Sequence, residues 1–187
     1  GLSFPEAVQF LAERAGIAVE TSPADEEGDR ERRSLYELYE RVTNTFRYLL
    51  EEDARGGHAR EYADTRGLEG HVRTRFELGY AVDDGRWLYR FLQRKSYSSD
   101  FLNRCGLFSR RSPGFALFRN RLIFPIRDER SRVVAFGGRA LSPEDKAKYI
   151  NSPETPIYNK KRTLYGLHRA MEAMRRTKQV YIAEGYT

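Results

Sequence analysis

The sequence predicts a mixed α/β domain of the α+β kind, with a helix-rich first part, a small antiparallel β unit and one further strand. Apolar residues recur at helical spacing up to about residue 106. Two short apolar runs, 122–126 and 133–136, then flank a polar turn, which is typical of a β-hairpin. After one more amphipathic helix, the apolar run 179–183 predicts the last strand.

The first helix is predicted to begin at Ser3, because Ser3 with Glu6 makes a capping box, and to end at Gly16. Residues 20–33 are polar and charged, so we expect a solvated linker there. A long amphipathic helix to about residue 54 follows. Its apolar residues keep a spacing of three or four and are Leu35, Leu38, Val42, Phe46 and Leu49.

Shorter helices are predicted at about 58–65, from Trp87 to Leu92 and at 99–105, each bounded by glycine or polar residues. A further amphipathic helix is predicted at 162–176. Within the hairpin, Pro125 cannot donate a hydrogen bond to a neighbouring strand, so we expect it at a sheet edge or a bulge.

The charge is distributed unevenly along the 187 residues, whose formal net charge is +6. Residues 1–100 contain 15 Lys and Arg against 20 Asp and Glu, whereas residues 101–187 contain 18 against 7. Such a split favours a surface that binds polyanions over a charge that serves only solubility.

No apolar run approaches the roughly 18 residues that a membrane span requires, and the N-terminus does not resemble a signal peptide. We therefore expect a cytoplasmic protein without a membrane partner. The single cysteine, Cys105, excludes an internal disulfide and a cysteine-rich zinc site within this sequence.

Three stretches of the basic half have side chains suited to a nucleic acid. Arg119 and Arg121 would point to the same face of an extended strand and match successive phosphates. Gly137-Gly138-Arg139 would allow close approach of a ligand beside a cation. Residues 148–155 combine a cation, an aromatic ring, an amide and a hydroxyl. Solvated surface arginines, a tight turn and an ordinary polar loop remain the alternatives.

Glu184 would stand at the C-terminal tip of the last predicted strand, where ligands and metals gather in open α/β sheets. One carboxylate cannot hold Mg²⁺ by itself, because magnesium sites need several oxygen ligands. From the residues alone, a surface glutamate on a turn is the favoured interpretation.

Taken in order, these motifs resemble those of the bacterial DnaG-type DNA primases. The resemblance covers nearly the whole chain and is most specific in Phe118–Ile126 and Lys148–Thr155. The other matching stretches are Phe4–Val8, Arg66–Leu68, Arg75–Ala81, Phe136–Arg139, Leu164–Gly166 and Glu184–Tyr186.

The resemblance implies three regions: an interdomain helix at 1–20 that follows a zinc-binding domain, the N-terminal subdomain of the catalytic core at 21–177, and the first strand of a Toprim subdomain at 178–187. The family's Glu-Gly-Tyr-Met-Asp is here Glu-Gly-Tyr-Thr. The later Toprim carboxylates, the zinc ribbon and the helicase-binding domain have no counterpart in this sequence. We therefore expect a piece of a longer protein, inactive alone.

The implied activity is DNA-templated synthesis of short RNA primers from ribonucleoside triphosphates. The residues that would guide the single-stranded DNA template and the RNA–DNA hybrid are Arg66, Arg119, Arg121, Arg139, Lys148 and Lys160. Lys148, Tyr149 and Asn151 would lie near the initiating nucleotide. Glu184 would be the catalytic carboxylate of an incomplete Mg²⁺ site. Zinc and the replicative helicase would bind the parent enzyme outside this sequence.

Two other interpretations stay open. The first is a stand-alone module that binds single-stranded nucleic acid without catalysis. The second is another Toprim enzyme, such as a topoisomerase or a nuclease, which has less support because the specific motifs precede residue 178.

Overall fold

The computed structural model describes residues 4–16 and 23–185. The helices are α1 Phe4–Ala15, α2 Pro23–Glu51, α3 Gly57–Thr65, α4 Gly70–Phe76, α5 Trp87–Arg94, α6 Ser99–Arg104 and α7 Leu167–Thr177, with a 3₁₀ turn at Ala54–Gly56. The strands are β1 Gly79–Ala81, β2 Arg121–Arg127, β3 Val133–Ala140 and β4 Tyr149–Asn151. Contacts divide the chain into two units, residues 1–34 and 35–187.

The first unit contains α1 and the beginning of α2. Gly16 follows α1 with a φ of 68°, as predicted for a glycine that ends a helix. The predicted cap at Ser3 lies outside the described residues. The predicted linker at 20–33 is wrong from Pro23 onward, because α2 already begins there. Proline suits the first turn of a helix, and Asp25 and Glu26 favour its N-terminus electrostatically.

The core of the second unit lies between α2 and the sheet. The apolar spacing predicted for α2 is confirmed, since its buried side chains include all five predicted residues. The ring of Phe136, on β3, stacks on Tyr39 at a centroid distance of 5.3 Å and meets Phe46 edge-on at 5.6 Å. These contacts hold one face of the sheet against α2.

The described strands form one antiparallel sheet in the order β1-β2-β3-β4. The predicted hairpin is confirmed as β2 and β3. Pairing of β2 with β1 ends at Ile123, and the register with β3 shifts between Ile126 and Arg127. Pro125 therefore lies on the open side of β2 next to the irregularity, as predicted from its missing N–H.

The C-terminal part departs from the predictions. The helix begins at Leu167 instead of 162, because Gly166 has a φ of 77°, which is incompatible with a helical residue. The strand predicted at 179–183 is wrong: these residues form no strand, and Tyr181 and Ile182 are 93% and 77% exposed. An apolar run forms a strand only beside a partner strand, and β1–β4 do not extend to it.

None of the helices in the described ranges combines the length and the apolar character that spanning a bilayer requires.

Candidate nucleic-acid interface

Arg119 and Arg121 do not project from a common face, so that prediction is wrong. Asn120, between them, has a φ of 45°, and β2 begins only at Arg121. The side chain of Arg119 is 49% exposed and stacks over the ring of Phe115, with its guanidinium carbon 5.2 Å from the ring centroid. Arg121 is only 4% exposed. Only Arg119 is accessible to a ligand.

Arg121 instead fastens the loop that leads into β4. Its Nη1 donates to the carbonyl of Ala147 at 2.8 Å and to that of Gly138 at 3.3 Å, and its Nη2 pairs with Asp145. The next residue, Lys148, accepts a hydrogen bond on its carbonyl from the backbone of Ala140 at 2.9 Å. Arg121 thereby holds the backbone beside Lys148, whose side chain is exposed.

Gly137 and Gly138 lie inside β3, not at a turn after it. A Cβ on Gly138 would come within 2.6 Å of Cδ1 of Phe118 and 3.1 Å of Cδ of Arg121. The structure therefore accounts for this glycine by the packing of those two side chains over β3, and the predicted close approach of a ligand is not needed to explain it.

Arg139 is 4% exposed and lies between two tyrosines. Its Nε donates to the hydroxyl of Tyr62 at 2.6 Å, and its Nη1 donates to the hydroxyl of Tyr149. Its guanidinium carbon is 5.8 Å and 5.0 Å from the centroids of the same two rings. Tyr149 is opposite Arg139 because β3 and β4 pair in that register.

Arg66 joins this group from the end of α3. Arg66 is exposed, and its guanidinium carbon lies over the ring of Tyr62, 5.5 Å from the ring centroid. We call Tyr62, Arg66, Arg139 and Tyr149 the tyrosine–arginine cluster. Tyr62 is not among the residues predicted from the sequence. Its spacing of four residues before Arg66 on a predicted helix is a signal that could have found it.

The ionisation of Tyr62 reflects these neighbours. Burial acts to raise its pKa, but the hydrogen bond from Arg139 and the charges of Arg139 and Arg66 outweigh burial, so the pKa of Tyr62 lies below its ordinary value of 10.0.

A second group of predicted residues lines a cavity of about 500 Å³ beside β4. Asn151 and Lys160 both contribute to it, together with residues of α6, of the segment after α6 and of the loop after β4. These are Asn103, Arg104, Gly106, Phe108, Arg110, Leu117, Pro153 and Glu154. The cavity thus combines three cationic side chains, one carboxylate and two amides with apolar surface.

Ser152 fixes the wall of this cavity between Asn151 and Pro153. Ser152 is fully buried, and its Oγ accepts a hydrogen bond from the backbone N–H of Phe136 at 3.0 Å. The loop after β4 is therefore tied to β3. Farther along, the backbone N–H of Lys160 donates to Glu154 at 3.3 Å.

Glu184 is exposed and lies outside the strands β1–β4. Within residues 4–16 and 23–185, no three His, Cys, Asp or Glu side chains come together as a metal site would require.

The family model for the DNA primase catalytic core, N-terminal domain, matches residues 45–171. The chain belongs to the DNA primase family. A curated DNA primase from Treponema pallidum (strain Nichols) is 40% identical over 99% of this chain. That match covers 31% of the relative, so the chain spans about a third of the length of the curated primases it matches.

Two solved primase structures have the same fold. The RNA polymerase domain of the Mycobacterium tuberculosis primase DnaG is 30% identical, with a TM-score of 0.75 over 83% of this chain and 51% of that one. A DnaG primase catalytic domain bound to single-stranded DNA is 34% identical, with a TM-score of 0.70 over 78% of this chain and 47% of that one. The resemblance and the mixed α/β class inferred from the sequence are confirmed.

Among the predicted nucleic-acid residues of this primase chain, the structure separates two kinds. Arg66, Arg119, Lys148 and Lys160 are at the surface. Arg121 and Arg139 are buried in contacts with the chain itself.

Proposed function

We propose that this chain is part of the RNA-polymerase core of a bacterial replicative primase and supplies a surface for single-stranded template DNA and nucleotides. The parent enzyme would use that template to make short RNA primers from ribonucleoside triphosphates. The observation that carries the proposal is the cavity beside β4, in which Asn151 and Lys160 meet Arg104 and Arg110.

The chemistry of this cavity suits a nucleotide. Its volume of about 500 Å³ is in the range of small-ligand sites. The cations would neutralise phosphate, and the amides of Asn103 and Asn151 would donate to and accept from a base or a ribose. Phe108 would offer apolar surface to the base. Lys148 and Tyr149, at the start of β4, would contact the adjoining part of the same ligand.

The surface cations would place the template. Phosphoryl transfer depends mainly on positioning and charge neutralisation, so a track of cations along the template contributes to the reaction without covalent chemistry. Arg66, Arg119, Lys148 and Lys160 would contact phosphates, whereas Arg121 and Arg139 would support the surface from beneath. The RNA–DNA hybrid would follow the same track.

The metals that the resemblance implies find no complete site in the described residues. Glu184 belongs to no group of three candidate ligands in the described residues, so the donors there do not fit Mg²⁺. Cys105 is the one cysteine of the sequence and is buried, so it does not fit a structural zinc site. The role of Glu184 as a catalytic carboxylate and the contact with a replicative helicase stay predictions from the sequence resemblance.

Binding of a fluorescently labelled single-stranded oligonucleotide to the 187-residue chain tests the proposal. We expect log affinity to fall linearly with log salt, with a slope of about −0.7 for each phosphate that is neutralised. A chain that does not bind at low salt would contradict the proposed function.

A second assay separates the enzyme from a stand-alone binding module. The 187-residue chain, incubated with template, Mg²⁺ and ribonucleoside triphosphates, is expected to make no primer, whereas the full-length enzyme from the same source makes primers. A full-length protein that binds template but makes no primer would favour the binding module.

A further inference from the structure

We propose that Tyr62 is a positioning residue that holds Arg66 at the nucleic-acid surface, and that buried Arg139 in turn holds Tyr62. This inference rests on the proposed function, because it assigns a role within the same surface. It concerns a residue that neither the charge pattern nor the motifs indicated.

Arg139 is the fixed point of the tyrosine–arginine cluster. A buried guanidinium is costly unless its N–H groups are hydrogen-bonded, and here the hydroxyls of Tyr62 and Tyr149 accept from two of its nitrogens. Tyr149 is positioned by the pairing of β4 with β3. The orientation of Arg139 is therefore set by the sheet, and its Nε points to Tyr62 on α3.

Tyr62 carries this orientation to the surface. The residue is half-buried, and its neighbour Ala63 is fully buried, so α3 cannot turn Tyr62 away without losing packing. The hydroxyl is held by Arg139 at 2.6 Å. The ring of Tyr62 is consequently a fixed platform, close to the last turn of α3.

Arg66 rests on that platform. Its guanidinium carbon is 5.5 Å from the ring centroid, and its charge contributes to lowering the pKa of Tyr62. An arginine loses rotamer freedom when it binds a phosphate, so a ring that restricts it beforehand lowers the entropic cost of binding. Arg66 thus presents a positive charge that is both exposed and preorganised.

Two positive charges, those of Arg66 and Arg139, lie near the ring of Tyr62, and this favours a tyrosine at that position. Arg66 and Arg139 repel each other, and the negative face of the ring and the hydroxyl oxygen offset this repulsion. Phenylalanine would keep the ring but would lose the hydrogen bond to Arg139. Alanine would lose both, and Arg66 would then be free to move away from Arg139.

The test is a double-mutant cycle of oligonucleotide binding with Tyr62→Ala, Arg66→Ala and the double variant. We expect Tyr62→Ala to weaken binding by about twofold to fivefold, the range of an exposed cation–π contact. In the Arg66→Ala background, Tyr62→Ala should have no further effect. Tyr48→Ala, at an exposed tyrosine of α2, and Arg94→Ala, at an exposed arginine of α5, are matched controls expected to leave binding unchanged.

Additive losses in the cycle, or full binding by Tyr62→Ala, would overturn the inference. If circular dichroism shows that Tyr62→Ala is unfolded, Tyr62→Phe takes its place in the test, because that variant keeps the ring. As the pH rises toward 10, the wild type should lose affinity because the Tyr62 phenolate forms and neutralises Arg66, and Tyr62→Phe should lose less. Identical pH profiles would count against the inference.

Titration of tyrosine absorbance without DNA distinguishes this inference from the proposed function. The wild type should show a tyrosine signal that titrates below the ordinary pKa of 10.0, which Tyr62→Phe removes and Arg139→Ala shifts upward. If that titration is found but the wild type does not bind DNA, the proposed function and the role assigned to Tyr62 both fail. If DNA binds but no such tyrosine titrates, only the role of Tyr62 fails.

Discussion

Ser152 and Phe136 exchange two hydrogen bonds across the end of β4. The backbone N–H of Ser152 donates to the carbonyl of Phe136 at 2.9 Å, and the Oγ of Ser152 accepts from the N–H of Phe136 at 3.0 Å. The side chain of Ser152 therefore supplies, at the residue after the end of β4, the hydrogen-bond acceptor for the N–H of Phe136. These two bonds connect the loop after Asn151 to Phe136, which packs in the core.

Replacing Ser152 by alanine should lower the free energy of unfolding by about 1–3 kcal/mol, because the N–H of Phe136 would be buried without an acceptor. Urea unfolding followed by circular dichroism measures this. Ser112→Ala, at an exposed serine, is the control and should stay within about 0.5 kcal/mol of the wild type. Equal stability of the two variants would refute the role of Ser152.

Arg119 and Arg121 should respond to substitution in opposite ways. Arg119→Ala should leave stability nearly unchanged and reduce the salt slope of oligonucleotide binding by about 0.7, the contribution of one phosphate contact. Arg121→Ala should cost about 1–3 kcal/mol of stability, because carbonyls of Gly138 and Ala147 lose their buried donor. Paired urea and salt titrations on both variants check this, and a stable Arg121→Ala with a reduced slope would contradict it.

Gly138→Ala should destabilise the chain by about 1–3 kcal/mol, because the added methyl group would overlap Phe118. Thermal unfolding of the variant measures the loss. The control is Gly28→Ala, because Gly28 lies within the helix α2. Gly67 does not serve as a control position, because its φ of 72° disfavours any other residue. Unchanged stability of Gly138→Ala would show that the strand can shift to accept the methyl group.

Cys105 should be inert toward thiol reagents in the folded chain. Burial raises the pKa of the Cys105 thiol to about 12, so at pH 8 only about one thiol in ten thousand is ionised. Labelling with a chromogenic disulfide should be slow at pH 8 and become fast in urea, where the thiol is exposed. Rapid labelling of the folded chain would contradict the packing of Cys105.

Asp53 makes a pH-dependent contribution to the stability of the fold. Hydrogen bonds from the side chain and backbone of Arg55 lower the pKa of Asp53 to about 2. A carboxylate whose pKa is depressed on folding stabilises the fold above its unfolded pKa of about 4 and loses that effect as the pH falls through 2. Because the Arg55 side chain of this pair is 47% exposed and screened by solvent, Asp53→Asn should cost at most about 1 kcal/mol at pH 7. The difference from the wild type should disappear near pH 2 in urea unfolding.

The sequence predicts those parts of the fold that depend on local periodicity. The buried face of α2 and the two strands of the hairpin follow from residue spacing alone. The geometry at Arg119 and Arg121 does not, because it depends on one left-handed residue, Asn120, whose conformation no periodicity reveals. The strand expected at 179–183 fails for a different reason, since its formation depends on neighbours and not on its own apolar residues.

The candidate site was predicted in part for similar reasons. The sequence indicates Lys148, Asn151 and Lys160 because they are close in sequence and chemically dense, and the structure brings Asn151 and Lys160 to one cavity. Tyr62 was missed because its contact with Arg139 joins residues 77 positions apart. The burial of Arg139 was missed as well, since a basic residue beside glycines looks the same in sequence whether it faces solvent or two tyrosines.

The two hydroxyls around Arg139 have a consequence for how this sequence can change over generations. A chain that lost Tyr62 or Tyr149 alone would remove one acceptor from the buried guanidinium, and a chain that lost Arg139 alone would remove a donor from each of two phenols. Each single step is therefore unfavourable, while a joint replacement is not. Among related primases, these three positions should be inherited as a set.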